Sequence, residues 1–262
     1  MTVKQHQLFT ELLENIKSWP MPDILLRLSH GPYETPIDYG AGVEPSPERQ
    51  RQYNSYYWCN RLVSIFDRLT WIRSMTSRSV YGRKNEDRSV LLEEWIVYNY
   101  EHYTVVYQAI LEVALLLTNE IFCLGNPYRK CSYSTVCDNT RINGTSVHRI
   151  LGKLKNTTDK HHGRKNLWVH RGERLRPPLD LIDLIDSTEI IDMARKLGIE
   201  IGGEREELPA EFLLIHSRKE LIEVMEKECT EIESQVEDLF EALLPYYRKF
   251  CSTSFNLVAF LY

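Results

Sequence analysis

The sequence predicts an all-α protein, a helical bundle built around two long antiparallel helices. Three observations carry this. Apolar residues recur three and four apart over long windows, no set of segments alternates in the manner of strands, and the breaks between periodic windows are short and rich in proline and glycine. Short connections favour antiparallel neighbours in a bundle. The chain has 262 residues, 43% of them hydrophobic and 26% charged, enough for a real core. No linker-like shift in composition divides it, so residues 1–262 are expected to form a single domain.

Residues 2–18 carry Leu8, Leu12, Leu13 and Ile16 on one face, a helix that Trp19-Pro20-Met21-Pro22 stops. A short helical piece is expected over Asp23–Ser29 and a loop over 30–47, which holds four prolines. Ser46-Pro47-Glu48 starts the first long helix, with serine as N-cap and proline in the first turn. It should run from Pro47 to about Ser77, burying Tyr57, Leu62, Ile65, Leu69 and Ile72. Gly82 and the charged run Arg83–Arg88 make a turn. The second long helix is expected from about Glu86 to Cys123. Its inward stripe is read as Leu91, Trp95, Tyr98, His102, Val106, Ile110, Val113 and Leu117, with His102 a core histidine. Gly125-Asn126-Pro127 ends it. Glu112 and Glu120 are eight apart on this helix and could face either a cleft or water.

Residues 125–143 read as turns, followed by Asn143-Gly144 and a helix from Thr145 to Lys155 with Val147, Ile150 and Leu154 inward. Arg176-Pro177-Pro178 is a hard break. Helices are expected again over about Leu179–Leu197 and Arg218–Lys249, with one short extended piece at Ile199-Glu200-Ile201. The last helix carries Leu221, Met225, Ile232, Val236, Leu239 and Leu243 on one side and acidic residues on the other.

The net charge is −5 and the sequence pI about 5.9, which is not the balance of a protein that coats nucleic acid. Any such contact must use a local patch. Between Lys153 and Arg176 lie Lys153, Lys155, Lys160, Arg164, Lys165, Arg171, Arg174 and Arg176, against Asp159 and Glu173 alone. As a bland alternative, this is a solvated basic edge. The six cysteines form no Cys-x-x-Cys pair, and no histidine pair follows them at zinc-finger spacing. Reduced thiols and an N-terminus without a signal-peptide core fit a cytoplasmic protein. The apolar run near Ala109–Leu117 is too short and polar to cross a bilayer, so no membrane partner is expected. No P-loop, dinucleotide loop, His-Glu-x-x-His or nucleophile elbow is present, and neither cofactor nor metal is expected.

The richest segment for chemistry is Gly163-Arg164-Lys165-Asn166-Leu167-Trp168-Val169-His170-Arg171-Gly172-Glu173. Histidine moves a proton near neutral pH, and arginine or lysine holds anionic oxygens. Asn166 and His170 are four apart and share a face if the segment is helical. Arg164 is six positions from His170, about 240° around an ideal helix, and reaches it only from the helix start, where Gly163 permits a turn. Trp168 reads as a core or dimer anchor. His161 and His162 stand beside Asp159, but adjacent residues point different ways, and they read as a solvated turn rather than metal ligands.

This segment resembles the signature of HEPN domains, an arginine, four to six residues, then a histidine. Five residues separate Arg164 from His170. Asn166 follows Lys165 rather than Arg164, so either Arg164 takes the family's arginine role with a shifted asparagine, or Lys165 substitutes for it. The resemblance implies a HEPN-like helical bundle that dimerises, the motifs of two subunits lining a shared cleft. It implies a metal-independent endoribonuclease or RNA-binding protein of the toxin type, with an antitoxin or other protein as partner. Its catalytic residues would be His170, Arg164 and Asn166, and its RNA-binding residues Lys165, Arg171, Lys160 and Arg174. The alternative it implies is a catalytically silent HEPN-like module serving interaction or structure.

Overall fold

The computed structural model describes residues 6–17, 47–78, 88–161 and 210–259. These are all-α. The elements are α1 (Gln7–Lys17), α2 (Pro47–Ser77), α3 (Arg88–Ile121), α4 (Tyr133–Cys137), α5 (Ser146–Asp159) and α6 (Ala210–Ala259), with a 3-10 turn at Tyr128–Lys130 before α4. The expected helix at 179–197, the helical piece at 23–29, the extended piece at 199–201 and all but the last residue of the loop at 30–47 fall outside the described residues; Pro47 itself begins α2. The chain divides into two compact units. One comprises residues 1–67, 108–160 and 231–262; the other comprises 68–107 and 161–230. The helices α2, α3 and α6 contribute residues to both.

In the first unit, α1 buries Leu8, Leu12 and Ile16, one residue every four, the expected face. His6 caps it. The ring Nδ1 accepts the Leu8 N–H at 3.1 Å, and the ring packs edge-on against Phe240 at 5.4 Å. Arg248 of α6 donates from Nε to both oxygens of Glu11 at 3.1 and 3.2 Å, and Asn15 donates to the Tyr247 hydroxyl. Asn54 of α2 meets Glu120 of α3, near opposite ends of the two sequences, so the helices run antiparallel here.

The end of α3 shows why its residues stop there. Cys123 adopts φ 52°, and the Leu124 N–H turns back to the Asn119 carbonyl at 3.0 Å. Arg141 then donates to the Phe122 and Cys123 carbonyls at 3.1 and 3.0 Å. Terminal carbonyls without helical partners are thus satisfied. Ser132 and Thr135 form a capping box on α4. Gly144, at φ +79°, makes the turn into α5, whose N-cap Thr145 accepts the His148 N–H at 3.2 Å. Val147, Leu151 and Leu154 of α5 are buried.

In the second unit the Trp95 indole donates to the Met75 carbonyl at 3.0 Å, again an antiparallel pairing of α2 with α3. This half of α3 corrects the expected stripe. Leu92, Ile96, Tyr100, Tyr103 and Tyr107 are buried, whereas Trp95 and His102 are half-buried and Tyr98 is 58% exposed. The helix is turned by about one residue relative to the expectation. It is apolar or aromatic around most of its circumference, so periodicity alone selects no unique inward side. His102 is accordingly no core residue. The part Glu94–Ile121 is long and apolar enough to cross a bilayer by length and composition; 67% of its most apolar window is buried within the protein.

The long C-terminal helix α6 outruns the expected Arg218–Lys249 at both ends and contains Pro245. Leu221, Met225, Ile232, Val236, Leu239 and Leu243 are all buried, as expected. Pro245 has no N–H to give the Glu241 carbonyl one turn before it.

Candidate functional site

A buried polar cluster in the second unit forms around His161. This residue is the last described before the basic segment. Tyr103 and Tyr107, four apart on α3, present their rings together, with centroids 5.5 Å apart. Met225, Glu228 and Cys229 share one face of α6. Glu228 occupies the position between Met225 and Ile232 on the apolar stripe, which brings a carboxylate inward.

His161 is 2% exposed. Its Nε2 lies 3.2 Å from both carboxylate oxygens of Glu228, and its ring contacts Tyr107 at 4.9 Å and Tyr103 at 5.9 Å. The Tyr103 hydroxyl donates to Glu228 Oε2 at 3.0 Å, while the Tyr107 hydroxyl donates to the Glu228 backbone carbonyl at 3.4 Å. Burial pushes the Tyr103 phenol far above its ordinary range, and the neighbouring Cys229 and Glu228 add to this. The phenol therefore remains a donor. A carboxylate can only accept, so the imidazole gives it the Nε2 proton. This leaves Nδ1, buried and without a hydrogen-bond partner among the described residues.

Within the first unit, two bonds hold the end of α5. Gln108 donates to the Thr158 carbonyl at 2.7 Å, and Gln235 donates to the Thr157 hydroxyl at 2.9 Å. Lys160 lies 3.7 Å from Glu231, with both side chains largely in water.

A second polar cluster surrounds Glu120 in the first unit. Asn54 donates to its Oε2 at 3.4 Å and Asn119 to its Oε1 at 3.5 Å. Burial raises the carboxyl above its ordinary 4.5, while hydrogen bonds from Asn54, Tyr128 and Asn119 pull it back. Nearby Cys131 is pushed up to about 11, by burial and then by the Glu120 charge. Glu112, its sequence companion, is exposed. The described cysteines at 59, 123, 131, 137 and 229 form no disulfide. Among the described residues, no group of three His, Cys, Asp or Glu side chains gathers as a metal site.

The family model described as Cthe2314-like HEPN matches residues 58–240, well over half the chain. The chain belongs to the HEPN family. No curated protein and no solved structure matches it.

The HEPN match spans, in sequence, the segment from Arg164 to His170. Of the residues singled out by motif, Lys160 is placed by the structure, exposed and facing Glu231. Arg164, Lys165, Asn166, Trp168, His170, Arg171 and Arg174 lie outside the described residues. His161, expected in a solvated turn, is instead a buried member of the HEPN bundle. The reason is Glu228, 67 residues away in sequence, which supplies the acceptor that offsets the cost of burying an imidazole. The sequence held one signal for this. Glu228 falls on the same helical line as Met225 and Ile232, a charged residue at a core position.

Proposed function

We propose that this HEPN protein acts on RNA as a metal-independent endoribonuclease. Membership of the HEPN family suggests functions of the ribonuclease or RNA-binding type. The finer reading is supported by the sequence, in which Arg164, Lys165, Asn166 and His170 stand at a spacing that resembles the HEPN signature and fall within the matched residues 58–240. His170 takes the proton from a ribose 2′-hydroxyl as general base, or gives one to the leaving 5′-oxygen as acid. Such help is typically worth roughly 10²–10⁴ in rate. The 2′-oxygen bonds to phosphorus as the P–O5′ bond breaks, leaving a 2′,3′-cyclic phosphate and a 5′-hydroxyl. Arg164, with Lys165 beside it, stabilises the charge that develops on the phosphoryl oxygens. Asn166 orients the imidazole or binds a phosphate oxygen. Lys160, Arg171 and Arg174 hold flanking phosphates. The working form is a homodimer whose second subunit supplies the opposing histidine, and toxin-type activity restrained by a partner protein is the biological setting.

The contact of buried His161 with part-buried Glu228 supports this reading, because it ties a residue two positions before Gly163 to the bundle. Purified protein incubated with RNA in EDTA, beside His170→Ala, tests it. Cleavage by the parent to cyclic-phosphate ends and none by the variant are expected. A parent that cleaves no RNA, or a variant that cleaves as fast, overturns it.

A second reading is a silent HEPN module. Lys165 stands where an arginine would precede Asn166, and lysine does not reproduce bidentate phosphate holding. RNA binding without cleavage would favour it.

A further inference from the structure

The side of α3 that turns outward carries an aromatic line. Trp95, Tyr98 and His102 recur three and four apart and share one face. Trp95 and Tyr98 stack with centroids 6.3 Å apart and planes at 24°, and Tyr98 lies 6.4 Å from His102. On α2 and just beyond it, Arg68, Trp71, Met75 and Arg78 recur at three, four and three, a line about 15 Å long at ~1.5 Å per residue. One contact and the antiparallel run of the two helices set the register between these lines. The Trp95 indole bonds the Met75 carbonyl at 3.0 Å. At the other end Arg68 lies near enough to His102 to help lower its pKa, after partial burial. Trp71 and Tyr98 therefore fall on the middle rungs of the antiparallel pair, and they are 52% and 58% exposed.

Cations close both ends of this strip. Arg68 stands at one. Arg78 stands at the other, where Arg218 of α6 donates to the Arg78 carbonyl at 3.3 Å and adds a second guanidinium. The nearest acids along the two lines, Asp67, Glu94 and Glu101, are each engaged within the chain. A ring exposed singly needs no explanation, but neighbouring exposed rings rimmed by polar groups mark an interaction site. Flat faces flanked by guanidinium groups suit a polymer that offers both flat rings and anions. An RNA duplex keeps its bases stacked on one another and withholds them, whereas a single strand can lay its bases on aromatic side chains while arginines hold the phosphates.

We infer that Trp71 and Tyr98, flanked by Arg68 and Arg78, form a binding strip for unpaired RNA. This rests on the proposed action on RNA and deepens it by naming single-stranded segments as what the protein grips. The strip lies wholly in the second unit and uses none of the residues of the basic segment.

The test is binding of an unstructured 2′-O-methyl oligonucleotide, which lacks the hydroxyl needed for cleavage, followed by fluorescence anisotropy. A blunt duplex of the same composition is the comparison. Trp71→Ala and Tyr98→Ala are each expected to weaken binding of the single strand about tenfold, within the span typical of base–aromatic stacking. Trp71→Phe should restore most of it. Arg68→Ala should reduce the salt slope by about one. The exposed positions make unchanged thermal melts the expected control. Equal affinity of the alanine variants overturns the inference, as does a duplex that binds as tightly as the single strand. A shift of oligomeric state by light scattering with oligonucleotide affinity untouched also overturns it, and assigns the face to a second copy. Binding that survives His170→Ala but not Trp71→Ala upholds the strip even if the chain cleaves nothing; cleavage and binding that ignore Trp71→Ala defeat the strip alone.

Discussion

Buried His161 of the turn after α5 meets part-buried Glu228 of α6, with the ring Nε2 3.2 Å from each carboxylate oxygen. The same carboxylate accepts from Tyr103. One side chain thus satisfies two buried donors; losing it strands the imidazole N–H, while the Tyr103 hydroxyl keeps the Met225 carbonyl at 3.4 Å.

Glu228→Gln keeps the shape but removes the charge and part of the accepting capacity. The expected cost is roughly 1–3 kcal/mol, read as a thermal midpoint several degrees lower. Glu226→Gln is the matched control. Its carboxylate reaches Arg73 at 3.3 Å from a side chain 62% exposed, and exposed pairs are worth about 0–1 kcal/mol. Equal shifts for the two variants would remove the anchoring role assigned to the His161–Glu228 contact.

Glu120 gives an opposite pH signature. Its folded carboxyl holds its proton above the ordinary 4.5 because it is buried. The folded state therefore binds this proton more tightly than the unfolded one, and the stabilisation is present below 4.5 and lost as pH rises through the raised value. Urea unfolding of wild type and Glu120→Gln should show the wild type losing stability relative to the variant as pH rises from 4.5 towards neutrality. A difference that does not change with pH would refute the assignment.

His6 behaves the other way. Burial lowers its pKa below 6.5, against an opposing pull from Glu241. The unfolded chain protonates first, so stability is present above 6.5 and declines as pH falls below it. His6→Asn keeps a side-chain acceptor at the cap. Its unfolding free energy should vary less than that of wild type between pH 6.5 and 5; identical slopes would rule out His6 as the source.

Gly144→Ala tests the turn into α5. An added Cβ would meet nothing within 4 Å, yet φ is +79°. The cost should therefore be purely conformational, about 1–2 kcal/mol, measured by chemical denaturation. A neutral substitution would mean that the left-handed turn is not required.

The sequence by itself determined the class and the principal elements. The long helices starting at Pro47 and ending near Ile121 were legible because capping and breaking residues act within a few positions of where they stand. The core line of α6, from Leu221 to Leu243, was legible because its other side is acidic and leaves one choice of inward face. The Arg164–His170 spacing was legible as a motif, since it is a property of the chain alone. Tertiary structure decided what the surrounding helices do with ambiguous residues. It turned Tyr98 outward and left Trp95 and His102 half-buried, because an α3 that is apolar on most sides takes its orientation from its neighbours. It drew His161 inside, because the acceptor that permits this lies on α6, 67 residues on. Local patterns record what a segment can bury; only contacts between distant segments fix which of those options is the one of lowest free energy.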